Sequence, residues 1–324
     1  MNTTPIIFLK NKSVDRTKWD HCIENSYNGT LYAMSWYLDA TAENWDALIM
    51  GDYETVFPVT YVKKNGIRIL YTPNCIQQLG IFSQQQLTEE TLTAFLKAIP
   101  KKFLFGKLNL NSGNVLTQNC GFQIKNRVNI EQDIFSSVYV LRKQYGRNIT
   151  ENLRKARKNK VFIKEGVDFH NTIETYRANI GNERFHVGEK YYQSAYKIME
   201  TLSAKRLLVI HEAFNAEGKF LAGIIATPFK NKIVLLQLGC NTEGYRTGAT
   251  SLLVDSILER FAGIKEICDF EGSNTESVAY FYAGFGGYVT HYPEVTIENV
   301  PRIAIKTMFK IKNMVSRKTT EWEL

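Results

Sequence analysis

Cysteine is scarce and scattered. The five cysteines, Cys22, Cys75, Cys120, Cys240 and Cys268, are odd in number and no two form a CxxC. That spacing argues against a disulfide framework or a zinc site and fits a reducing, cytoplasmic compartment. No run of about 18 apolar residues is available to span a membrane. The first residues, MNTTPIIFLKNKSVDR, have neither the basic nor the apolar region of a signal peptide. Prolines number seven in 324 residues and no low-complexity stretch occurs, which argues against disorder. The five histidines show no HExxH or HxH spacing, and no GxSxG elbow is present, so zinc-protease and α/β-hydrolase chemistry have no motif here. Acid is what the segment 141–164 lacks. It holds nine basic residues, Arg142, Lys143, Arg147, Arg154, Lys155, Arg157, Lys158, Lys160 and Lys164, against Glu151 alone. Such a stripe suits a phosphate-rich partner, CoA or tRNA, or is a solvated helix face without a partner. The tail from Arg302 to Lys318 is also basic and acid-free, and there the solvated reading is favoured.

What is present reads as a globular α/β chain. The net charge is +8, with 44% apolar and 22% charged residues. The length implies about two domains. In the second half, Lys205–Phe214, Lys219–Phe229 and Lys232–Cys240 are β-branched and aliphatic runs joined by short polar turns, an antiparallel meander. An amphipathic helix follows, with Leu253, Ile257 and Phe261 four apart, ended by Gly263. Then come a strand (Lys265–Glu271), a short helix (Thr275–Gly284) and closing strands 288–291 and 294–298 around Pro293. Ile149–Lys160 and Glu189–Ala204 read as helices. A strand–helix–strand crossover after a meander predicts a mixed sheet with helices on both faces, splayed where its direction changes. The first half repeats the theme. Helices are expected at Asp15–Asn25 and Tyr32–Ala42, strands at Trp45–Met50, Tyr53–Val62 and Ile67–Tyr71, then a helix from Thr88 to Ile99 and a strand Phe103–Leu110. The order helix, helix, meander, helix, strand occurs twice, an internal duplication without repeated words. We therefore expect a degenerate first domain at 1–140, a second at 141–300, and a basic tail at 301–324 packing back on the first.

The candidate chemistry lies in the second half. Arg246-Thr247-Gly248-Ala249-Thr250 stands before a helix, where free N–H groups and the helix dipole favour an anion. Gly239, late in the preceding strand, suggests a bulge that aims a backbone N–H into the gap, with the Cys240 backbone as the candidate carbonyl polariser. Asp269 and Glu271 close the next strand on one face, either at a catalytic edge or as a cap for the next helix. Tyr282 lies on that helix, facing the gap or packing in the core. His170 and Glu174 read as a surface pair, and His186 is a candidate for a substrate groove.

In Arg246-Thr-Gly-Ala and in Asn274…Ala279…Tyr282…Phe285-Gly286 the second half resembles the GNAT acyltransferase superfamily, although of the pyrophosphate loop only Gly248-Ala249 clearly remains. The duplication, the missing loop in the first copy, the stretch DFEGS…YFYAGFGG and the basic helix RNITENLRKARKNKVFI resemble the tandem-GNAT, Fem-type branch. The resemblance implies two tandem GNAT-like α/β domains and direct transfer of an acyl group from acyl-CoA, such as acetyl-CoA, to a small amine, amino sugar or peptide. It implies Tyr282 as acid, Glu271 or Asp269 as base, and Arg246–Thr250 with Asn274 around the cofactor. Two alternatives stay open: an aminoacyl-tRNA-dependent peptidyltransferase acting on a cell-wall precursor, with tRNA on 141–164, and a catalytically inactive binding protein that keeps the fold.

Overall fold

The computed structural model describes residues 4–181, 187–271 and 274–300. His186 and the basic tail from 301 on lie outside them. The chain divides into two compact units. One takes in the chain up to Asn126 and again from Tyr292; the other is Arg127–His291.

In the first unit, β1 (Ile6–Leu9) leads to α1 (Arg16–Asn25). The helix starts where the Asp15 carboxylate accepts from the Thr17 and Lys18 N–H groups, which satisfies two donors that the first turn leaves orphaned. Its inner face carries Trp19, Cys22 and Ile23. After α2 (Ser35–Thr41) come β2 (Trp45–Met50), β3 (Thr55–Lys64), β4 (Ile67–Leu70) and the short β5 (Phe82–Ser83). The strands β1 to β4 pair antiparallel in sequence order. Asn65 and Gly66 both have positive φ, as a tight two-residue hairpin requires. The side chain of Thr88 caps α3 (Glu89–Lys97), as read from the sequence. The helix carries the chain over so that β6 (Phe103–Asn109) lies parallel to β4. Phe57, Phe95, Phe103 and Leu108 anchor the core between sheet and helix.

The second unit opens with β7 (Gln123–Asp133), α4 (Val138–Arg142), α5 (Arg147–Lys158) and β8 (Phe162–Glu165). Then come α6 (His170–Tyr176), α7 (Glu189–Ala204) and the meander β9 (Val209–Phe214), β10 (Phe220–Phe229) and β11 (Lys232–Cys240). The chain continues through α8 (Thr242–Thr247), α9 (Ala249–Phe261), β12 (Ile267–Asp269), α10 (Glu276–Ala283) and β13 (Tyr288–Glu298). The strand order is β7-β12-β11-β10-β9-β8. β12 runs parallel to β11 and antiparallel to β7, so the expected mixed sheet is observed. Helices lie on both faces. Ile149, Leu153, Leu253 and Ile257 of α5 and α9 share a core with Ala222, Ile224 and Leu235. On the other face α6 approaches so closely that a side chain at Gly239 would sit 2.1 Å from the Thr172 carbonyl oxygen. β13 returns to the first unit, where Glu294–Glu298 pairs with β6. It is one strand and not two. The Pro293 carbonyl accepts from the Leu110 N–H, so proline keeps its acceptor bond although it has no donor. A groove of about 740 Å³ lies along β4, β6 and β13, with Ile69, Tyr71, Phe105 and Glu294 in its walls.

The expected boundaries at 140 and 300 do not coincide with this division, because β7 pairs with β12 of the second unit and β13 with β6 of the first. Among the described residues no helix is long and apolar enough to cross a membrane.

One member of the basic segment is spent on the fold. Arg142 Nε and Nη2 donate to Asp255 Oδ1 and Oδ2 at 2.9 and 2.7 Å, and Nη2 also reaches Glu259 at 3.0 Å. The Tyr145 hydroxyl donates to Asp255 as well, at 2.9 Å. Asp255 sits inside α9 at 3% exposure, so it needs this forked cation. Arg142→Ala is expected to cost about 3–5 kcal/mol in urea unfolding, because it strands a buried carboxylate. The double change Arg142→Met with Asp255→Leu should recover most of that loss. A loss below about 1 kcal/mol for the single variant would mean that the pair does not anchor α9.

Candidate functional site

The gap expected in the sheet is built by a short pairing. β11 and β12 match at three positions only, Lys232↔Ile267, Ile233↔Cys268 and Val234↔Asp269. Beyond Val234 the strand β11 runs on to Cys240 with β10 alone, and β12 has ended. The register of β10 with β11 steps from Ile225↔Gln237 to Ala226↔Leu235. Leu236 is therefore an extra residue, a β-bulge, at the mouth of the gap. The sequence pointed to Gly239 for this bulge. Gly239 is instead in regular register with Gly223, and its missing side chain makes room for α6. Cys240 pairs regularly with Ala222. Its thiol is fully buried, pushed up to about 12 by that burial, and contacts the Asn241 carbonyl.

The opposite wall starts at Asp269. Its Oδ1 accepts from Asn129 Nδ2 at 2.9 Å and from the Glu271 N–H at 3.1 Å. Across the ladder it faces Glu131, whose carboxyl is pushed up by burial and by Asp269. Lys232 Nζ lies 2.7 Å from Glu131. Burial opposes the Lys232 charge, yet the Asp269 and Glu131 carboxylates hold it above its ordinary value. Asp269 is thus engaged in the frame of the strand.

Glu271 is placed differently. It has φ +51°, a left-handed conformation costly for a residue with a side chain. It lies past the end of β12, so the strand alternation that put it on the face of Asp269 does not reach it. Its Oε1 is closed to solvent, and burial pushes its carboxyl up to about 8. Tyr282 on α10 stacks on Phe270 with centroids 4.8 Å apart and planes 14° apart. Burial, then the fields of Cys268, Glu271 and Tyr245, hold its phenol well above 10. Glu271 is thus near enough for its charge to bear on the Tyr282 phenol. Asn274 is turned to the frame and accepts from the Val128 N–H at 3.1 Å.

The cofactor loop read at 246–250 has another shape. Arg246 and Thr247 end the helix α8, whose N-terminus is capped by Asn241. Gly248 turns left-handed at φ +81° and starts α9 directly. A side chain at Gly248 would sit 2.4 Å from the Asn152 carbonyl oxygen of α5. Ala249, Thr250 and Ser251 are buried at 8% exposure or less. α5 thus lies on the start of α9, and Arg246 points to solvent. The outer face of α5 is uncovered: Arg154, Lys155, Arg157 and Lys158 are exposed. Among the described residues only Arg147 of this helix forms an ion pair, with Glu151. His170 pairs with Asp168, not with Glu174; Glu174 accepts from Tyr196.

Sequence reasoning missed two polar contacts on the sheet. The Tyr191 hydroxyl of α7 donates to Gln237 Oε1 at 2.7 Å, next to the bulge. His211 Nδ1 lies 2.7 Å from the Ser256 hydroxyl. Gln237 was the only polar residue inside VLLQLGC, and that was its signal.

No family model and no curated protein matches the sequence. Solved structures do match in fold. FemX is 13% identical, covering 89% of this chain and 96% of its own, with a TM-score of 0.65. A tandem GNAT protein from the clavulanic acid biosynthesis pathway is 11% identical, covering 92% and 99%, with a TM-score of 0.53. The fold is that of the tandem GNAT, Fem-type proteins. L-PGS from Bacillus licheniformis is similar as well, 9% identical over 94% of this chain and 97% of its own, at a TM-score of 0.52. The tandem GNAT-like fold expected from the sequence is therefore observed.

A carboxyl raised to about 8 in the fold, against 4.5 when free, keeps its proton in the native state while the unfolded chain has lost it. Between those values stability falls as pH rises, by up to about 1.4 kcal/mol per unit. Glu271→Gln removes that dependence. Its stability advantage over the parent protein, measured by urea unfolding, should be smallest at pH 5 and grow towards pH 8. A constant difference would place the Glu271 carboxyl in water.

Proposed function

We propose that the protein is an N-acyltransferase of the Fem type, moving an aminoacyl group from a nucleic-acid carrier to an amine acceptor. The observation that carries this reading is the closed start of α9. A CoA pyrophosphate would call for open N–H groups at that helix terminus, and α5 occupies the place. The same helix turns its unpaired cations outward, where a phosphate backbone can be met. Aminoacyl-tRNA is therefore favoured over acyl-CoA as the donor.

The gap supplies the groups that transfer needs. The ester carbonyl of the donor polarises against the backbone N–H of the bulge at Leu236. The acceptor amine attacks the carbonyl carbon, the C–N bond forms, and the amine proton passes to ionised Glu271. A carboxyl near 8 is about half ionised at mildly alkaline pH and is matched to an ammonium donor. The C–O bond then breaks, and Tyr282 gives its proton to the departing ribose oxygen. A phenol held above 10 suits an alkoxide, which is basic enough to take that proton; a thiolate leaving group is not. Glu271 returns its proton to Tyr282, directly or through solvent, and the cycle closes. Cys240 and Asp269 then act as frame, the thiol in the core and the carboxylate in the turn that presents Glu271.

Two measurements test this. Tyr282→Phe should lower turnover roughly 100-fold with donor affinity nearly unchanged; unchanged turnover removes Tyr282 from the mechanism. Substituting Arg154, Lys155, Arg157 and Lys158 together by Gln should weaken tRNA binding about 10- to 100-fold and flatten its salt dependence. Filter binding at two salt concentrations reads both. A melting temperature raised by acetyl-CoA and not by tRNA would move the proposal to acyl-CoA, and no response to either would favour an inactive binding protein.

A further inference from the structure

A second cluster of charge lies in the first unit, at the end of the sheet where β1, β2, β4 and the approach to β6 meet. Asp46 of β2 is 2% exposed. Its two oxygens are already engaged, one by the Asn11 N–H at 3.0 Å and one by Lys10 Nζ at 3.4 Å. Two further cations, Lys102 and Arg68, lie within reach of these charges and have no ion pair of their own among the described residues, although Arg68 is hydrogen-bonded to Tyr61. Lys102 Nζ sits 3.9 Å from the centroid of Phe8, the ring that Lys10 also faces at 5.6 Å. Arg68 is the register partner of Phe103, the residue next to Lys102, and Arg68 Nε is closed to solvent without a hydrogen-bond partner. Burial lowers the Lys102 ammonium from its ordinary value, and the Lys10 and Arg68 charges push it further down.

Lys10 and Lys102 thus share one ring and the field of one occupied carboxylate, and Arg68 adds a third positive charge beside them. Like charges held together on half-buried ground repel by amounts that grow as water is excluded. The ring of Phe8 eases this only in part, because a cation–π contact neutralises no charge. A dianion would satisfy all three, the guanidinium as a directed fork and the two ammonium groups as point charges.

We propose that Lys10, Arg68 and Lys102 form a phosphoryl-binding site on the first unit, taking the phosphate group of a small phosphorylated ligand. This site is independent of the gap around Glu271 and of the donor surface on α5, and its test does not involve transfer activity. The probes are inorganic phosphate and, separately, glycerol phosphate, each compared with chloride at equal ionic strength. Thermal unfolding and ³¹P line broadening are read on the full chain. Phosphate at roughly 20 mM should raise the melting temperature by about 2 °C or more beyond chloride. An effect of glycerol phosphate at least equal to that of phosphate points to a phosphomonoester; a weaker effect points to the free ion, and either supports the site. Lys102→Gln and Arg68→Gln should each abolish the phosphate effect. In chloride, Lys102→Gln should melt no lower than the parent, because a repulsive charge has gone. Equal effects of phosphate and chloride on the parent, or a phosphate effect that survives both substitutions, would overturn the proposal. Should Arg68→Gln fold poorly, Lys102→Gln and Lys10→Gln decide it.

Discussion

Asp269 is the point on which the second unit turns. It is the last residue of β12 to pair with β11, and its own carboxylate takes the chain away from the ladder. By accepting from Asn129 and from the Glu271 N–H, it fixes both the strand behind it and the left-handed residue ahead. The short pairing that results leaves β11 with β10 alone beyond Val234, and the gap exists for that reason. The frame is costly, since Asp269 and Glu131 are both buried and face one another. Lys232 is the compensating charge. Such a cluster holds only when complete, because the loss of one member strands the others in a poor solvent. A buried carboxyl in an unusual backbone conformation, Glu271, is thus held from behind by the Asp269 carboxylate.

The start of α9 shows the same economy of place. A helix N-terminus can take an anion or be closed by packing. Here it is closed: Gly248 lets the α5 backbone come within reach, and any side chain there would collide with the Asn152 carbonyl. One helix therefore closes that N-terminus and turns its own cations to solvent. The apolar stripe Ile149, Leu153 and Ala156 faces inward and the arginines and lysines face outward, so the two roles follow from a single amphipathic pattern.

Most of the fold was legible in the sequence, because its meanders and helices are strongly periodic. The run Lys232–Cys240 is observed with the same bounds, as is Glu189–Ala204. β7 was not seen, for a physical reason. Its buried residues include Asn129, Glu131 and Gln132, which bond to Asp269, Lys232 and the Phe285 carbonyl and so hide the apolar alternation that marks a strand. The site was legible in part. Tyr282 and Glu271 could be found as polar residues in an aromatic corner, but the difference in setting between Glu271 and Asp269 could not. It depends on one positive φ, and glutamate carries no signal for that conformation. The bulge was placed three residues late, because glycine marks both bulges and close helix approaches. Only the position of α6 separates those two meanings.

The duplication explains why the two units differ as they do. Each joins a meander to a crossover strand through a short parallel register, Arg68↔Phe103 to Leu70↔Gly106 in the first and Lys232↔Ile267 to Val234↔Asp269 in the second. Each also departs from regular pairing beside that register, at Leu104 in the first and at Leu236 in the second. In the first unit Gly106, at φ +154°, comes so close to Leu70 that a side chain would meet its carbonyl at 2.1 Å, and the groove beyond is walled by Ile69, Tyr71 and Phe105. Among the described residues the carboxylates there are Glu294 and Glu298 of β13, outside the repeated elements. In the second unit the turn after the crossover strand carries Glu271 in its left-handed conformation; in the first the turn after β6 carries Asn111 and Asn114, which are bonded back to Leu79 and Ile81.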